Sequence, residues 1–284
     1  MTTMIGTIGA IMRYPVKSLL GENLDECAIT PSGLHGDRTH ALIDASTGKI
    51  ASAKQPNLWR DLLRFSANTA SSASPLSIVI SDQAGNTFCH SDEDFDAKMS
   101  RLLGRDVRLV DVRPEGVELN RARPDEVMTH GVDASVTQDL LAIGAAAPTG
   151  GFFDFAPLHL MTSASLGAAR DAEPQASITA ERYRPNILID TLPSTAFAEN
   201  DWVGRKIRIG PSVIFEVIAP TPRCAVPMLI HGSLPFCREA VAVVNKLNQV
   251  EFPMLGPGTF PCLGAYATVL ASGVVRRGDQ VELE

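Results

Sequence analysis

The stretch KIRIGPSVIFEVI, Lys206 to Ile218, sets the kind of fold to expect. On either side of Gly210 and Pro211 apolar residues recur every second position, the period of a half-buried strand, and the Gly-Pro pair supplies the turn of a hairpin. The same period recurs in both directions. Toward the N-terminus, strands are expected at Ile5 to Met12, Leu24 to Ile29, His40 to Ile43, Leu76 to Ile80 and Val107 to Val112, with Ser46 to Gly48 closing a hairpin onto Lys49 to Ala53. Nearer the opening stretch, strands fit Leu158 to Met161 and Ile187 to Asp190. The tail GVVRRGDQVELE reads as a hairpin around Gly278 and Asp279.

Three helices interrupt this pattern. One follows Ser91 as N-cap, places Phe95, Met99, Leu102 and Leu103 at i, i+4, i+7 and i+8, and stops at Gly104. The acids Asp92 to Asp94 suit a helix start and need no metal or acid/base role. A second helix begins at the cap Thr162 and runs through Arg170. A third fits Pro235 to Leu247. Between Arg113 and Val132 the chain is polar, with Pro114, Gly116, Pro124 and Gly131, and shows no period. The expectation is a mainly β protein with some α, of the α+β class. It has a β-barrel-like N-terminal domain over residues 1–112, a connection over 113–133 and a second β-barrel domain with short helices over 134–284.

With 284 residues, 45% hydrophobic and 20% charged, the composition is that of a globular chain with a substantial core. The 25 Lys and Arg against 32 Asp and Glu give a net charge of −7, which argues against an extended nucleic-acid face. No apolar run approaches the roughly 20 residues that span a bilayer, and the first residues do not read as a secretory leader, so the expected location is the cytoplasm. Five scattered cysteines, Cys27, Cys89, Cys224, Cys237 and Cys262, read as thiols and not as a disulfide framework.

Phosphate-loop, dinucleotide, HExxH, GxSxG and CxxC signatures are all missing. Four clusters remain. In RYPVKS, Arg13 to Ser18, Pro15 fixes the chain before a Lys and a hydroxyl able to donate to an anion. GLHGDR, Gly33 to Arg38, bends on two glycines before Asp37 and Arg38. In RYRPN, Arg182 to Asn186, Pro185 biases Arg184 toward extended backbone and Asn186 adds an amide that both donates and accepts. PTPRCAVP, Pro220 to Pro227, holds a thiol beside an arginine. Taken singly, Lys17, Arg38 and Arg184 read as surface cations, Cys224 as a small buried hydrophobe, Tyr266 as a packed strand residue, and His159 and His231 as structural or surface histidines. The case for function is their joint occurrence.

The ordered set of YPVKS, GLHGDR, PLHLMTSASL (Pro157 to Leu166), RYRPNILID, DWVGRKIRIG, RCAVP, GAYATV and GVVRRGDQVEL resembles the MOSC proteins, named for the C-terminal domain of the molybdenum cofactor sulfurases, with their N-terminal β-barrel domain. The resemblance covers nearly the whole chain and implies a molybdenum-cofactor site between two domains. It implies Cys224 as metal ligand and catalytic residue, and Lys17, Ser18, Arg38, Ser163, Arg184, Asn186, Arg223 and Tyr266 as cofactor-binding residues. A molybdopterin phosphate wants cations and hydroxyls, its pterin an amide, and a soft metal a thiolate, which Arg223 beside Cys224 should favour.

The implied activity is a molybdenum-cofactor-dependent oxidoreductase acting on a small-molecule substrate, with a separate electron-transfer protein as partner. Neither nucleic acid nor membrane is expected to take part. The alternatives are a metal-free sulfur carrier or carbon–sulfur bond enzyme using Cys224 as persulfide or nucleophile, and a module that carries cofactor without turnover. Relatives that reduce N-hydroxylated substrates continue after the cysteine with TTVDP, whereas this chain reads AVPMLIHG, which leaves substrate and reaction open. There is no pyridoxal-phosphate domain of the sulfurase type.

Overall fold

A computed structural model describes residues 2–70, 77–192 and 195–284. Mostly β with short helices, it is built around a closed ring of seven strands. In ring order these are Leu158–Thr162, Ile187–Thr191, Thr3–Arg13, Gln280–Leu283, Lys206–Ile209, Val213–Pro222 and Thr259–Ala271, the last pairing back onto the first. Only Leu158–Thr162 and Ile187–Thr191 run parallel, and the helices Ser163–Ala172 and Ala180–Tyr183 make the crossover that a parallel pair requires.

The expected hairpin forms, Ile207 opposite Phe215 and Ile209 opposite Val213. Its alternation is literal: Val213, Phe215 and Val217 are buried while Ile214, Glu216 and Ile218 are only partly so. These side chains meet Ile8, Ile11, Leu160, Ile189, Ala265 and Val281 in one apolar core, and closure leaves the ring without a free edge. Thr162 caps its helix as expected, its hydroxyl accepting from Ser165 N at 3.1 Å.

Several pairings differ from the sequence reading. Thr3–Arg13 belongs to the second half's barrel, between Ile187–Thr191 and Gln280–Leu283. The tail does not fold as a hairpin: Gly273–Arg276 pairs with Glu26–Thr30, whereas Gln280–Leu283 joins the ring. Ala41–Asp44 takes Val107–Val110 as its partner, and only a single bridge, Ile43 to Ile50, joins it to the expected hairpin mate. Leu76 lies outside the described residues, and its strand spans Ile78–Ser81. The helix expected after Ser91 is Phe95–Leu103, with Asp94, not Ser91, at its N-cap. Gly104 ends it with φ 65°. The aperiodic connection holds a strand, Glu118–Ala122, paired with Gln138–Ala142, and a helix, Pro124–His130 opened by its proline.

The N-terminal region carries its own core, in which Val16, Leu19, Leu42, Trp59, Phe65, Ile80 and Met99 pack together. The chain leaves the barrel at Arg13 and enters this second core at Val16 and Leu19. Lys17 and Ser18 are thereby held at the junction of the two. On the other side, Arg223 and Cys224 follow the end of Val213–Pro222, and Ala225, Val226 and Met228 pack against Ala53, Leu63 and Val127.

Candidate functional site

At this junction one cleft is lined by Lys17, Ser18, Arg38, Arg184, Asn186, Arg223, Cys224 and Tyr266. Eight of the nine expected site residues therefore meet, from loops far apart in sequence. Ser163 is the exception. It opens the Ser163–Ala172 helix, its hydroxyl accepts from Thr191 N at 3.1 Å, and it lines a different cavity with Gly9 and Arg170.

Backbone strain concentrates at this place. Among the described residues four non-glycine ones have positive φ, and three of them line the cleft: Ser18 at 65°, Arg38 at 49° and Arg184 at 59°. Left-handed backbone costs a non-glycine residue about 1 to 2 kcal/mol, so the surrounding packing is holding side chains in place against local preference. For Arg184 this corrects the sequence expectation of extended backbone before Pro185. The residue ends the Ala180–Tyr183 turn in the left-handed region.

Charge is equally concentrated. Lys17, Arg38, Lys54, Arg184 and Arg223 line the cleft, and among the described residues Asp154 is the only carboxylate in the lining. Lys17 Nζ donates to Phe152 O at 2.8 Å and Asp154 Oδ1 at 2.6 Å, and Lys54 Nζ reaches Asp154 Oδ2 at 3.0 Å. Burial pushes the Lys17 ammonium down to about 8, although Asp154 partly restores it. Burial alone would raise the Asp154 carboxyl, but the two ammonium groups hold it well below the usual range. Arg38 pairs with buried Asp37, and the guanidinium groups of Arg38 and Arg184 sit 5.0 and 4.3 Å from the centroid of the Tyr14 ring. Burial lowers Arg184 to about 10.

Not every group is free to meet a ligand. Asn186 donates to Asp37 Oδ2 at 3.0 Å and Met12 O at 3.3 Å, and its Oδ1 accepts from His159 N at 3.1 Å and Arg38 at 3.4 Å. Its amide clamps the two halves together and has little capacity left for a heterocycle edge. Arg223 donates to Tyr183 O at 2.8 Å and Leu263 O at 3.2 Å. Beside it lies His159, which burial, reinforced by the Arg223 charge, lowers to about 3, so the imidazole is neutral. Gly264, at φ 85°, admits that ring: a Cβ there would collide with His159 Nε2 and Leu160 O.

Three lining polar atoms are buried without a partner: Arg184 Nη1, Arg223 Nε and Thr221 Oγ1. Native interiors rarely leave such donors unmet, so a ligand-borne acceptor is the natural complement. Cys224 is half-buried. It shares the cleft with Arg38 and Arg184 and also touches the apolar cluster around Ala225 and Met228. The loop behind it is pinned by fully buried Arg182, which donates to the carbonyls of Pro227, Leu229 and Pro235. All five cysteines are free thiols, and among the described residues no cluster of three or more His, Cys, Asp or Glu forms a metal cage.

Sequence reasoning missed Ser52, Lys54, Asp154, Tyr183 and Thr221 and read His159 as structural or surface. Tyr183 and Thr221 lie inside the RYRPN and PTPRCAVP clusters, whereas Ser52, Lys54 and Asp154 lie in irregular segments with no pattern of their own.

The fold and cleft define a mainly β protein whose two parts converge on a cationic, thiol-bearing site. The model of the MOSC domain matches residues 147–282, that of the MOSC N-terminal beta barrel domain matches residues 5–106, and the chain belongs to the MOSC family. Proteins of this family are associated with the molybdenum cofactor. Among solved structures, YuaD from Bacillus subtilis is 12% identical with a TM-score of 0.45, over 100% of this chain and 96% of that one. YiiM from Geobacillus stearothermophilus is 17% identical with a TM-score of 0.32, over 59% of this chain and 72% of its own. No curated protein matches the chain. Among the described residues no helix is long and apolar enough to cross a membrane.

Proposed function

We propose that the cleft binds the molybdenum cofactor and that the chain is an oxidoreductase that reduces, or moves an oxygen atom on, a small substrate. The observation that carries this reading is the set of unmet buried donors, Arg184 Nη1, Arg223 Nε and Thr221 Oγ1, on residues that line one cleft with five cations and Cys224. That donor set suits both ends of the cofactor: guanidinium and ammonium groups with the Ser18 hydroxyl for a phosphate monoester, and a soft thiolate for the metal. Cys224 would be the metal ligand, Lys17, Ser18, Arg38 and Arg184 the phosphate anchors, Arg223 and Thr221 further donors, and Tyr266 a wall.

When bound, the cofactor supplies two-electron chemistry. The chain's own residues provide the setting. Asn186 and Asp37 fix the direction of Arg38, Arg182 holds the Cys224 loop, and neutral His159 adds no charge beside Arg223. Lys17, at about 8, is the lining cation most able to release a proton near neutral pH. Electrons would come from a separate electron-transfer protein in the cytoplasm, with neither nucleic acid nor membrane involved.

Protein made in cells that synthesise the cofactor should contain molybdenum and pterin in equal amounts, by elemental analysis and pterin fluorescence. Cys224→Ser should lose activity while keeping its Tm. Metal-free protein carrying cyanide-labile sulfur on Cys224 would overturn this reading in favour of sulfur transfer. Bound cofactor without turnover by any electron donor would reduce it to a carrier.

A further inference from the structure

A second cavity, separate from the cation cleft, is walled by Met12, Tyr14, Leu20 and Leu234 and by the turn bearing His231; its Tyr14 ring carries the Arg184 guanidinium of the cleft on one face. Its polar features are few and specific. His231 is 3% exposed, and its Nδ1 lies 3.0 Å from Leu229 O. A carbonyl only accepts, so Nδ1 carries the hydrogen. Burial lowers the imidazole to about 3, so the ring is neutral and Nε2 is a bare acceptor. That Nε2 is buried without a partner, as is the hydroxyl Oγ1 of Thr179 in the same cavity lining. One unmet acceptor and one unmet hydroxyl in an apolar groove ask for a molecule that answers both, because buried polar groups without partners are costly.

The charges nearby select against ions of either sign. Arg182 and Arg184 are close enough to His231 to disfavour a cation, and Glu181 at the lining disfavours an anion. Glu22, also in the lining, is already paired with Arg13 at 2.9 Å.

We propose that this groove binds a small neutral molecule with an apolar body and an amide-type edge, its N–H donating to His231 Nε2 and its carbonyl accepting from Thr179 Oγ1. The site stands apart from the cofactor assignment, since none of its lining residues lines the cation cleft and no cofactor is needed to form it.

The test is isothermal titration of the purified full-length chain with benzamide, using N,N-dimethylbenzamide as the partner lacking an N–H. Benzamide should bind saturably, and the dimethyl compound about tenfold more weakly, the ratio expected for one lost hydrogen bond. His231→Phe and Thr179→Val should each weaken benzamide by a similar factor, whereas Thr179→Ser should retain it. Should His231→Phe fail to fold, the Val and Ser variants at Thr179 decide, each checked by its Tm. The proposal is overturned if benzamide does not bind, if both amides bind equally, or if Thr179→Val is indistinguishable from the parent. Any of these results would mean that water alone fills the groove.

Discussion

The barrel interior and the cleft beside it are built on opposite rules. In the core of the ring, local preference and global fold agree: strands such as Val213–Pro222 alternate, apolar and β-branched residues point inward, and the edge is closed. At the junction the preferences are broken within a few residues of one another. Ser18, Arg38 and Arg184 hold left-handed backbone, Lys17 and Arg223 are buried cations, and three donors have no partner. Stability is therefore invested in the ring, and the cleft draws on it. A protein that spends folding free energy to hold positive charge and bare donors at one place gains from what binds there.

Variants that separate the two regions should differ in sign as well as size. Phe215→Ala, in the ring, should lose about 3 to 5 kcal/mol by denaturant unfolding, the usual result of emptying a fully buried aromatic site. Arg184→Gly should do the reverse. Relieving left-handed backbone and a buried charge should stabilise the chain by about 1 kcal/mol, while the cofactor retained on purification falls at least about tenfold for the lost charge-assisted contact. If instead Arg184→Gly destabilises the fold and leaves cofactor content unchanged, the cleft is ordinary structure.

A subtler contrast is in pH. The Lys17 ammonium titrates near 8 when folded and near 10.5 when unfolded, so between those values the unfolded chain binds more protons and stability rises with pH. Below about 8 both states are charged and the burial penalty is felt in full. Lys17→Met should remove that rise, read as the difference between the two unfolding profiles from pH 7 to pH 11. The smallest effect is expected at Ser163, outside the cleft: Ser163→Ala should leave cofactor content unchanged and stability within about 0.5 kcal/mol.

Much of this was legible from sequence because the responsible interactions are local. The hairpin across Gly210 and Pro211 and the Thr162 cap are written in neighbouring residues, and both formed. The partners of Thr3–Arg13, Gly273–Arg276 and Ala41–Asp44 are set by distant segments, which no short-range pattern encodes. Glu118–Ala122 was hidden because its alternating residues include Arg121, largely buried with Asp139 as its charge partner, so the strand reads as polar. At the site, the charged residues and the thiol carried by motifs were found, whereas Lys54 and Asp154, outside any motif, and Tyr183 and Thr221, inside motifs but less conspicuous, were not. Asn186 was found with the wrong emphasis, because its amide is consumed by Asp37, Met12 and His159, partners that only the fold brings to it.

The measurement closest to the central claim is anomalous X-ray diffraction at the molybdenum edge on crystals of protein made in a cofactor-competent host. The account expects one molybdenum peak in the cleft between Arg38, Arg184 and Arg223, joined by continuous density to Cys224 Sγ. Protein crystals with no such peak, or with molybdenum bound away from Cys224, would contradict it.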